Sequence, residues 1–176
     1  MKTRGVAIAL LAGAVACQPD APAPSGPRVE RPSFSGTSAY AHVETQVAFG
    51  PRIPGSDGHA AQLAWMLAWL TERADTVVAD AFDHVTSGGD TLALVNVLAR
   101  FNPGADGRVL LLTHWDTRPR ADQSPDPEDQ AKPVPGANDG ASGTAVLMEL
   151  ADMLSRQAPT VGIDGSQARL YTPGGF

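Results

Sequence analysis

Cysteine is almost absent from this chain of 176 residues, since Cys17 is the only one. A single cysteine allows no intramolecular disulfide and no cysteine-rich zinc site, so any metal chemistry must use histidine and carboxylates. Charged residues are also few, at 18%, and the formal net charge is −6. This acidic balance argues against a nucleic-acid-binding surface.

Apolar residues make up 43% of the chain, which also holds 18 glycines and 15 prolines. The length suits one domain, and the glycine and proline content predicts many loops around a modest core. A disordered acidic tail and a membrane-embedded bundle are both excluded by this composition.

The first 17 residues have the pattern of an export signal. Lys2 and Arg4 precede an apolar run from Val6 to Val15, which is too short to span a bilayer as a helix. Cys17 directly follows Ala14-Val15-Ala16, an arrangement that resembles a bacterial lipoprotein signal in which Cys17 is lipidated. The alternative is ordinary cleavage that leaves a free Cys17. Both predict an exported protein of the periplasm or cell envelope, with membrane contact only through a lipid on Cys17.

Residues 18–38 predict a linker, because they contain five prolines interspersed with serine and glycine. A folded domain is expected over residues 39–164. Its first helix is predicted from Ser38 to Phe49, with Ser38 as the N-cap and Tyr40, Val43 and Val47 at helical spacing.

A second helix is predicted to begin at Ser56 or Asp57 and to reach about Ala74. Apolar residues lie on several faces of this helix, so the helix is expected to be mostly buried. The stripe assigned to one face comprises Leu63, Leu67 and Leu70.

Two β-rich runs, residues 76–86 and 91–101, flank Ser87-Gly88-Gly89-Asp90 and predict a hairpin. The stretch from Val109 to Leu112 is apolar throughout, which predicts a strand covered on both faces. Helical and strand signals therefore occur together, and an α/β sandwich is the expected class.

Candidate catalytic chemistry follows that last strand. His114-Trp115-Asp116 stands just beyond the apolar run, where open α/β sheets place their ligand sites. A histidine there can serve as a metal ligand or base, and Asp116 could hold its ring. The alternative is an ordinary surface histidine.

A polar loop and a glycine-rich turn come next. The loop carboxylates, Asp122, Asp126, Glu128 and Asp129, are expected to be solvated. Asp139 lies in a turn beside the N-terminus of a helix predicted over residues 144–156, where the backbone dipoles favour an ionised carboxylate. Such a carboxylate is either a metal ligand or an N-cap, and the segment alone leaves both open.

Three sequence motifs, in this order along the chain, resemble those of the M28 zinc peptidase family. They are most similar to the branch that contains bacterial relatives of glutaminyl-peptide cyclotransferase. They are Phe49-Gly50-Pro51-Arg52-Ile53-Pro54-Gly55-Ser56, Leu112-Thr113-His114-Trp115-Asp116-Thr117-Arg118-Pro119 and Val134-Pro135-Gly136-Ala137-Asn138-Asp139-Gly140-Ala141-Ser142-Gly143. The resemblance covers roughly Tyr40 to Asp164. It implies a mixed, mainly parallel β-sheet flanked by helices, with zinc at the carboxyl edge of the strands.

The resemblance also implies residue roles and a peptide substrate. In the two-zinc aminopeptidases, the position matching His114 binds one zinc, that matching Asp139 bridges both, and that matching Asp116 supports catalysis. In the single-zinc cyclotransferases the position matching Asp139 still binds zinc, whereas that matching His114 does not. The implied activity is pyroglutamate formation from N-terminal glutamine. The alternatives are removal of N-terminal residues by an aminopeptidase and a non-catalytic exported lipoprotein.

The sequence departs from the family after Asp164. The family continues into an acidic pair and later a ligand histidine, but no Glu follows Glu149 and no His follows His114 here. Glu149 lies about three helical turns from Asp139 and is not expected to replace the base. Residues 165–176 are therefore predicted to be a divergent tail of a truncated or frame-shifted product. The chain with this tail is expected to lack enzymatic activity.

Overall fold

The computed structural model describes residues 31–167. The helices are α1 (Gly36–Ala48), α2 (Asp57–Thr71) and α3 (Gly143–Arg156), and the strands are β1 (Thr76–Val85), β2 (Thr91–Phe101), β3 (Arg108–Thr113) and β4 (Gly162–Gln167). The predicted signal peptide with Cys17, residues 18–30 of the predicted linker and residues 168–176 of the predicted tail lie outside the described residues. Within residues 31–167, no helix is both long and apolar enough to cross a membrane.

The four strands form one mixed sheet in the order β1-β2-β4-β3. Strands β1 and β2 are the antiparallel hairpin predicted from the sequence. Strand β4 pairs antiparallel with β2 and parallel with β3. The α/β class, with a mixed sheet flanked by helices, is therefore confirmed. Of the three strand pairs in the described part of the chain only β3–β4 is parallel, so the expectation of a mainly parallel sheet is not met there.

One face of the sheet packs against α2 and α3. Successive side chains of a strand point to opposite faces, and the alternate β2 residues Val97, Ala99 and Phe101 are at most 5% exposed. Burial of such a layer is the main favourable contribution to folding. The core cluster comprises Met66, Leu70, Val97, Ala99, Phe101, Trp115, Met148 and Ala151.

The prediction that β3 is covered on both faces is wrong. Strand β3 lies at an edge of the sheet, and Leu111 faces α3, where it lines a small cavity with Leu147 and Leu150. Leu110 and Leu112 point to the other face and are 57% and 50% exposed. Within residues 31–167 no helix covers that second face of β3, which leaves its apolar side chains exposed.

Helix α1 begins three residues earlier than the predicted cap implies. Its N-cap is Ser35, whose hydroxyl accepts a hydrogen bond from the Ser38 backbone N–H at 3.1 Å. Ser38 is thus inside the first turn, and residues 36–38 of the predicted linker are helical. The buried residues of α1 are Ala39 and Gln46, whereas Tyr40, expected on the inner stripe, is 64% exposed.

Helix α2 begins after Ser56, as predicted, with the Ser56 hydroxyl accepting from the His59 N–H at 3.2 Å. Its buried stripe differs from the predicted one, because His59, Gln62, Met66 and Leu70 face inward. Leu63 and Leu67 are only half-buried and flank that stripe. The polar members enter the interior because Gln62 donates to the Gln46 side chain at 2.9 Å.

Strand β4 extends beyond Asp164. Its register places Gly165 beside Ala99 on β2 and beside Leu111 on β3. The predicted domain boundary after Asp164 therefore falls inside a strand rather than after it.

Candidate active site

His114, Trp115 and Asp116 directly follow the carboxyl end of β3. Trp115 is 3% exposed, so the middle residue of this segment is buried between the two candidate site residues. The Trp115 indole N–H donates to the Val95 carbonyl at 3.3 Å. Its ring stacks on His59 with the centroids 4.1 Å apart. These contacts hold the segment that carries His114 and Asp116 against the sheet and α2.

Asp139 lies in an irregular helical turn, Ala137–Ser142, that precedes α3. Gly140 has a φ of 98°, which a residue with a side chain adopts only with strain. A Cβ there would lie 3.0 Å from the Asp116 carbonyl oxygen and 3.3 Å from His114 Cε1. Because Gly140 has no side chain, the turn approaches closely enough to place Asp139 beside His114.

The three residues singled out in the sequence come together around the His114 ring. Its Nε2 lies 2.8 Å from Asp139 Oδ1. Its Nδ1 lies 3.2 Å from the Asp116 carbonyl oxygen and 3.5 Å from Asp116 Oδ1. Asp116 is buried, whereas the Asp139 side chain is 65% exposed. The ring therefore lies between an inner and an outer carboxylate.

These carboxylates change the protonation of the ring. Its interaction with the Asp116 carboxylate raises the pKa of His114 above the ordinary value, the charge of Asp139 adds to this, and partial burial acts in the opposite direction. A histidine nitrogen that ligates a metal must be deprotonated, so a proton and a metal ion compete for Nε2.

His114 and Asp139 fit two positions in the coordination shell of a zinc ion. Imidazole nitrogen and carboxylate oxygen are ordinary zinc ligands, and here the two donor atoms converge. Asp116 beside Nδ1 matches the arrangement in which a carboxylate fixes the tautomer and orientation of a metal-bound histidine. Over residues 31–167 no group of three or more His, Cys, Asp and Glu side chains could hold a metal. A catalytic zinc normally takes three protein ligands.

The N-cap alternative for Asp139 is wrong. The residue at the N-cap of α3 is Ser142, and no side chain caps that helix. Asp139 instead directs Oδ1 toward His114.

Glu149 does not approach the site. It is 2% exposed, and its Oε1 accepts a hydrogen bond from the Ser35 backbone N–H at 2.9 Å. This hydrogen bond connects the start of α1 to α3. It is consistent with the expectation that Glu149 does not replace a catalytic base.

The carboxylates of the polar loop are at the surface, as expected. Asp122 pairs with Arg118 at 2.9 Å and Asp129 with Lys132 at 2.6 Å. Asp126 accepts from the Glu128 backbone N–H at 2.9 Å. Exposed pairs of this kind contribute little to stability, and none of these side chains joins His114.

Arg52 is a residue of this region to which the sequence assigned no role. Its side chain is fully buried, and its guanidinium donates to four backbone carbonyls. The acceptors are Gly50 at 3.4 Å, Trp115 at 3.4 Å, Pro135 at 2.7 Å and Gly136 at 2.6 Å. The one signal in the sequence was an arginine between two Pro/Gly breaks, which by itself predicts only an exposed loop residue.

Comparison with known proteins finds a matching family model and several similar folds. Residues 96–164 match the model of peptidase family M28. The *Bacteroides thetaiotaomicron* glutaminyl cyclase bound to N-acetylhistamine is 36% identical, with a TM-score of 0.78 over 84% of this chain and 51% of that one. A Zn-dependent exopeptidase from *Parabacteroides distasonis* is 35% identical, with a TM-score of 0.77 over 82% and 53%.

A leucine aminopeptidase precursor from *Bacteroides thetaiotaomicron* is 37% identical, with a TM-score of 0.77 over 79% of this chain and 48% of that one. The chain thus spans about half the length of each of these three solved structures. The matches confirm the resemblance to family M28 and to its glutaminyl-cyclase-like members that the three motifs indicate.

Proposed function

We propose that this M28-like chain, with the fold of glutaminyl cyclases and zinc-dependent exopeptidases, contributes Asp139 as a zinc ligand, with His114 beside it, to the site of an enzyme that acts on peptide N-termini. The proposed reaction is cyclisation of N-terminal glutamine to pyroglutamate. The observation that carries the proposal is the convergence of His114 Nε2 and Asp139 Oδ1 at 2.8 Å at the carboxyl edge of β3.

Each residue has a distinct role in this proposal. Asp139 holds zinc, which when bound would polarise the amide carbonyl that is attacked. His114, whose Nε2 lies 2.8 Å from Asp139 Oδ1, would be a second ligand in the aminopeptidase reaction. Asp116 fixes the His114 ring through Nδ1. The Asp139 side chain, 65% exposed, leaves the outer side of the site open to a peptide. The peptide's own α-amine attacks the glutamine side-chain amide, and ammonia leaves.

An aminopeptidase reaction is the second candidate, supported by the similarity to an exopeptidase and to a leucine aminopeptidase precursor. That reaction needs a general base to take a proton from the attacking water. Among the described residues, Asp116 is buried and Glu149 is engaged with Ser35. Cyclisation likewise needs a group that passes a proton from the attacking amine to the departing ammonia, so the base does not distinguish the two reactions. We favour cyclisation because of the similarity to the glutaminyl cyclase.

The chain by itself is proposed to be inactive and to retain zinc weakly, because residues 31–167 supply at most two ligands to a site that takes three. Dialysis of the purified chain against zinc-free buffer, followed by metal analysis, tests this. We expect far less than one zinc per chain. Stoichiometric zinc, with turnover that is abolished in Asp139→Ala, would show that the site is complete.

A chimaera separates the two reactions. Residues 31–167 would replace the matching segment of the *Bacteroides thetaiotaomicron* glutaminyl cyclase, which is similar enough for the sheet to be preserved. The product would be incubated with Gln-peptides and Leu-peptides, with the Asp139→Ala chimaera as control. Release of ammonia without peptide cleavage supports cyclisation, and release of free amino acid supports the aminopeptidase. A chimaera that folds but shows neither activity would contradict both.

We also propose that the protein is exported and anchored through a lipid on Cys17, which leaves the catalytic domain at the cell envelope. The basis is the signal pattern of residues 1–17. Expression of the chain and of Cys17→Ser with labelled palmitate, followed by detergent phase partition, tests the anchor. Label in the wild-type chain alone is expected, and an unlabelled wild-type chain would leave ordinary signal cleavage as the explanation.

A further inference from the structure

Arg52 joins the two segments that carry the proposed zinc donors. One is the segment after β3, where the Trp115 carbonyl accepts from Arg52 Nε at 3.4 Å. The other is the turn before Asp139, where Pro135 and Gly136 accept from the two terminal nitrogens at 2.7 and 2.6 Å. The backbone of Arg52 adds a fourth hydrogen bond, because its carbonyl accepts from the Thr117 N–H at 3.1 Å.

The turn at residues 135–139 packs its backbone closely against the Arg52 guanidinium. Gly136 has a φ of 65°, and a Cβ there would lie 2.7 Å from Arg52 Nη2 and 2.3 Å from Thr117 Cγ2. No larger residue could occupy this position without moving the turn away. Asp139 follows three residues later, so a shift of Gly136 would carry Asp139 with it.

The chemistry of the contact requires arginine rather than a positive charge alone. Burial lowers the pKa of Arg52, and the nearby Asp116 carboxylate opposes that effect. A buried cation is tolerated when its donors are satisfied. The planar guanidinium directs five N–H groups along fixed directions, whereas a lysine ammonium concentrates three donors on one atom. A lysine could not bridge carbonyls of both segments in the same way.

We propose that Arg52 is a positioning residue, which sets the separation of His114 and Asp139 by fixing the turn at residues 135–139 against the segment at 114–117. Its effect on zinc rests on the function proposed above, whereas its effect on the turn does not. Arg52 touches neither donor atom and acts through the backbone that carries them.

The test compares Arg52→Lys with Leu70→Ala in the 176-residue chain. Leu70 is a core residue of α2 and makes none of these hydrogen bonds, so its truncation controls for general loss of stability. Amide hydrogen exchange is measured by mass spectrometry for residues 134–141 and for β2. Zinc affinity is measured by competition with a chromophoric chelator, and the Asp139→Ala chain shows how much of it comes from this site.

In Arg52→Lys we expect at least tenfold faster exchange at residues 134–141 relative to β2. We also expect weakening of the Asp139-dependent zinc affinity by about 10–100-fold, the range typical of residues that orient metal ligands. Leu70→Ala should accelerate exchange in β2 and in the turn to the same extent. Its zinc affinity should stay within about twofold of that of the wild-type chain, because the geometry of the metal ligands is unchanged.

Unchanged relative exchange at the turn in Arg52→Lys would overturn the proposal, as would equal zinc loss in Leu70→Ala. If the turn loosens in Arg52→Lys while zinc affinity in the wild-type chain does not depend on Asp139, the positioning role stands and the proposed zinc function fails.

Discussion

Gly140 shows how one residue can decide whether two side chains meet. A side chain there would be strained at a φ of 98°, and its Cβ would make tight contacts with the Asp116 carbonyl oxygen at 3.0 Å and with His114 Cε1 at 3.3 Å. We expect Gly140→Ala to lower the free energy of unfolding by about 1–3 kcal/mol, the cost of a strained backbone conformation. Urea denaturation measures this. Gly104→Ala is the control, since nothing lies within 4 Å of its Cβ position; equal losses in both variants would refute the strain argument.

His42 predicts a dependence of stability on pH. It lies between Trp65 and Trp69, with ring centroids 5.8 and 5.2 Å away. Burial lowers the pKa of His42 below 6.5, while the charges of Glu149 and Asp152 raise it and that of Arg73 lowers it.

Because the folded-state pKa of His42 lies below the unfolded one, the unfolded chain binds more protons as the pH falls below about 6.5. This histidine should therefore make the protein less stable at pH 5 than at pH 7. In His42→Gln we expect that loss to be smaller, as measured by urea denaturation at both pH values. The same pH dependence in the two proteins would show that His42 does not contribute to it.

At the scale of the element, the start of α1 can be tested through its cap. Ser35 accepts the hydrogen bond from the Ser38 N–H, and the Ser38 hydroxyl only donates to Ser35. Ser35→Ala should lower the free energy of unfolding by about 1 kcal/mol, the usual cost of a lost N-cap. Ser38→Ala should cost about half of that or less, because the cap survives. The reverse order in denaturant titrations would restore Ser38 as the cap.

At the scale of the whole molecule, the second face of β3 is an exposed apolar surface at the edge of the sheet. Leu110 and Leu112 are 57% and 50% exposed there, and apolar side chains on an edge strand favour association. We expect the chain to self-associate, and the double variant Leu110→Lys/Leu112→Lys to be more monomeric by light scattering. Leu111→Lys, on the same strand but facing α3, should instead destabilise the fold. Equal association in the double variant and the wild-type chain would exclude this surface.

Sequence alone determined the features that depend on neighbouring residues. The Ser-Gly-Gly-Asp turn between two β-rich runs specified the hairpin, and the Ser56 cap specified the start of α2. Motif order likewise indicated His114, Asp116 and Asp139, because a strand that ends at Thr113 must place the next residues at the carboxyl edge of the sheet.

Only the tertiary structure decided which faces are buried and which distant groups meet. Gln46 is buried because its amide donates to the Ala141 carbonyl, 95 residues away, at 3.0 Å and accepts from Gln62. Arg52 is buried because carbonyls 63 to 84 residues away receive its donors. A polar side chain is stable inside a protein only where such partners converge. Local periodicity carries no information about that convergence: it grouped the exposed Tyr40 with Val43 and Val47 and gave no sign that Arg52 is buried.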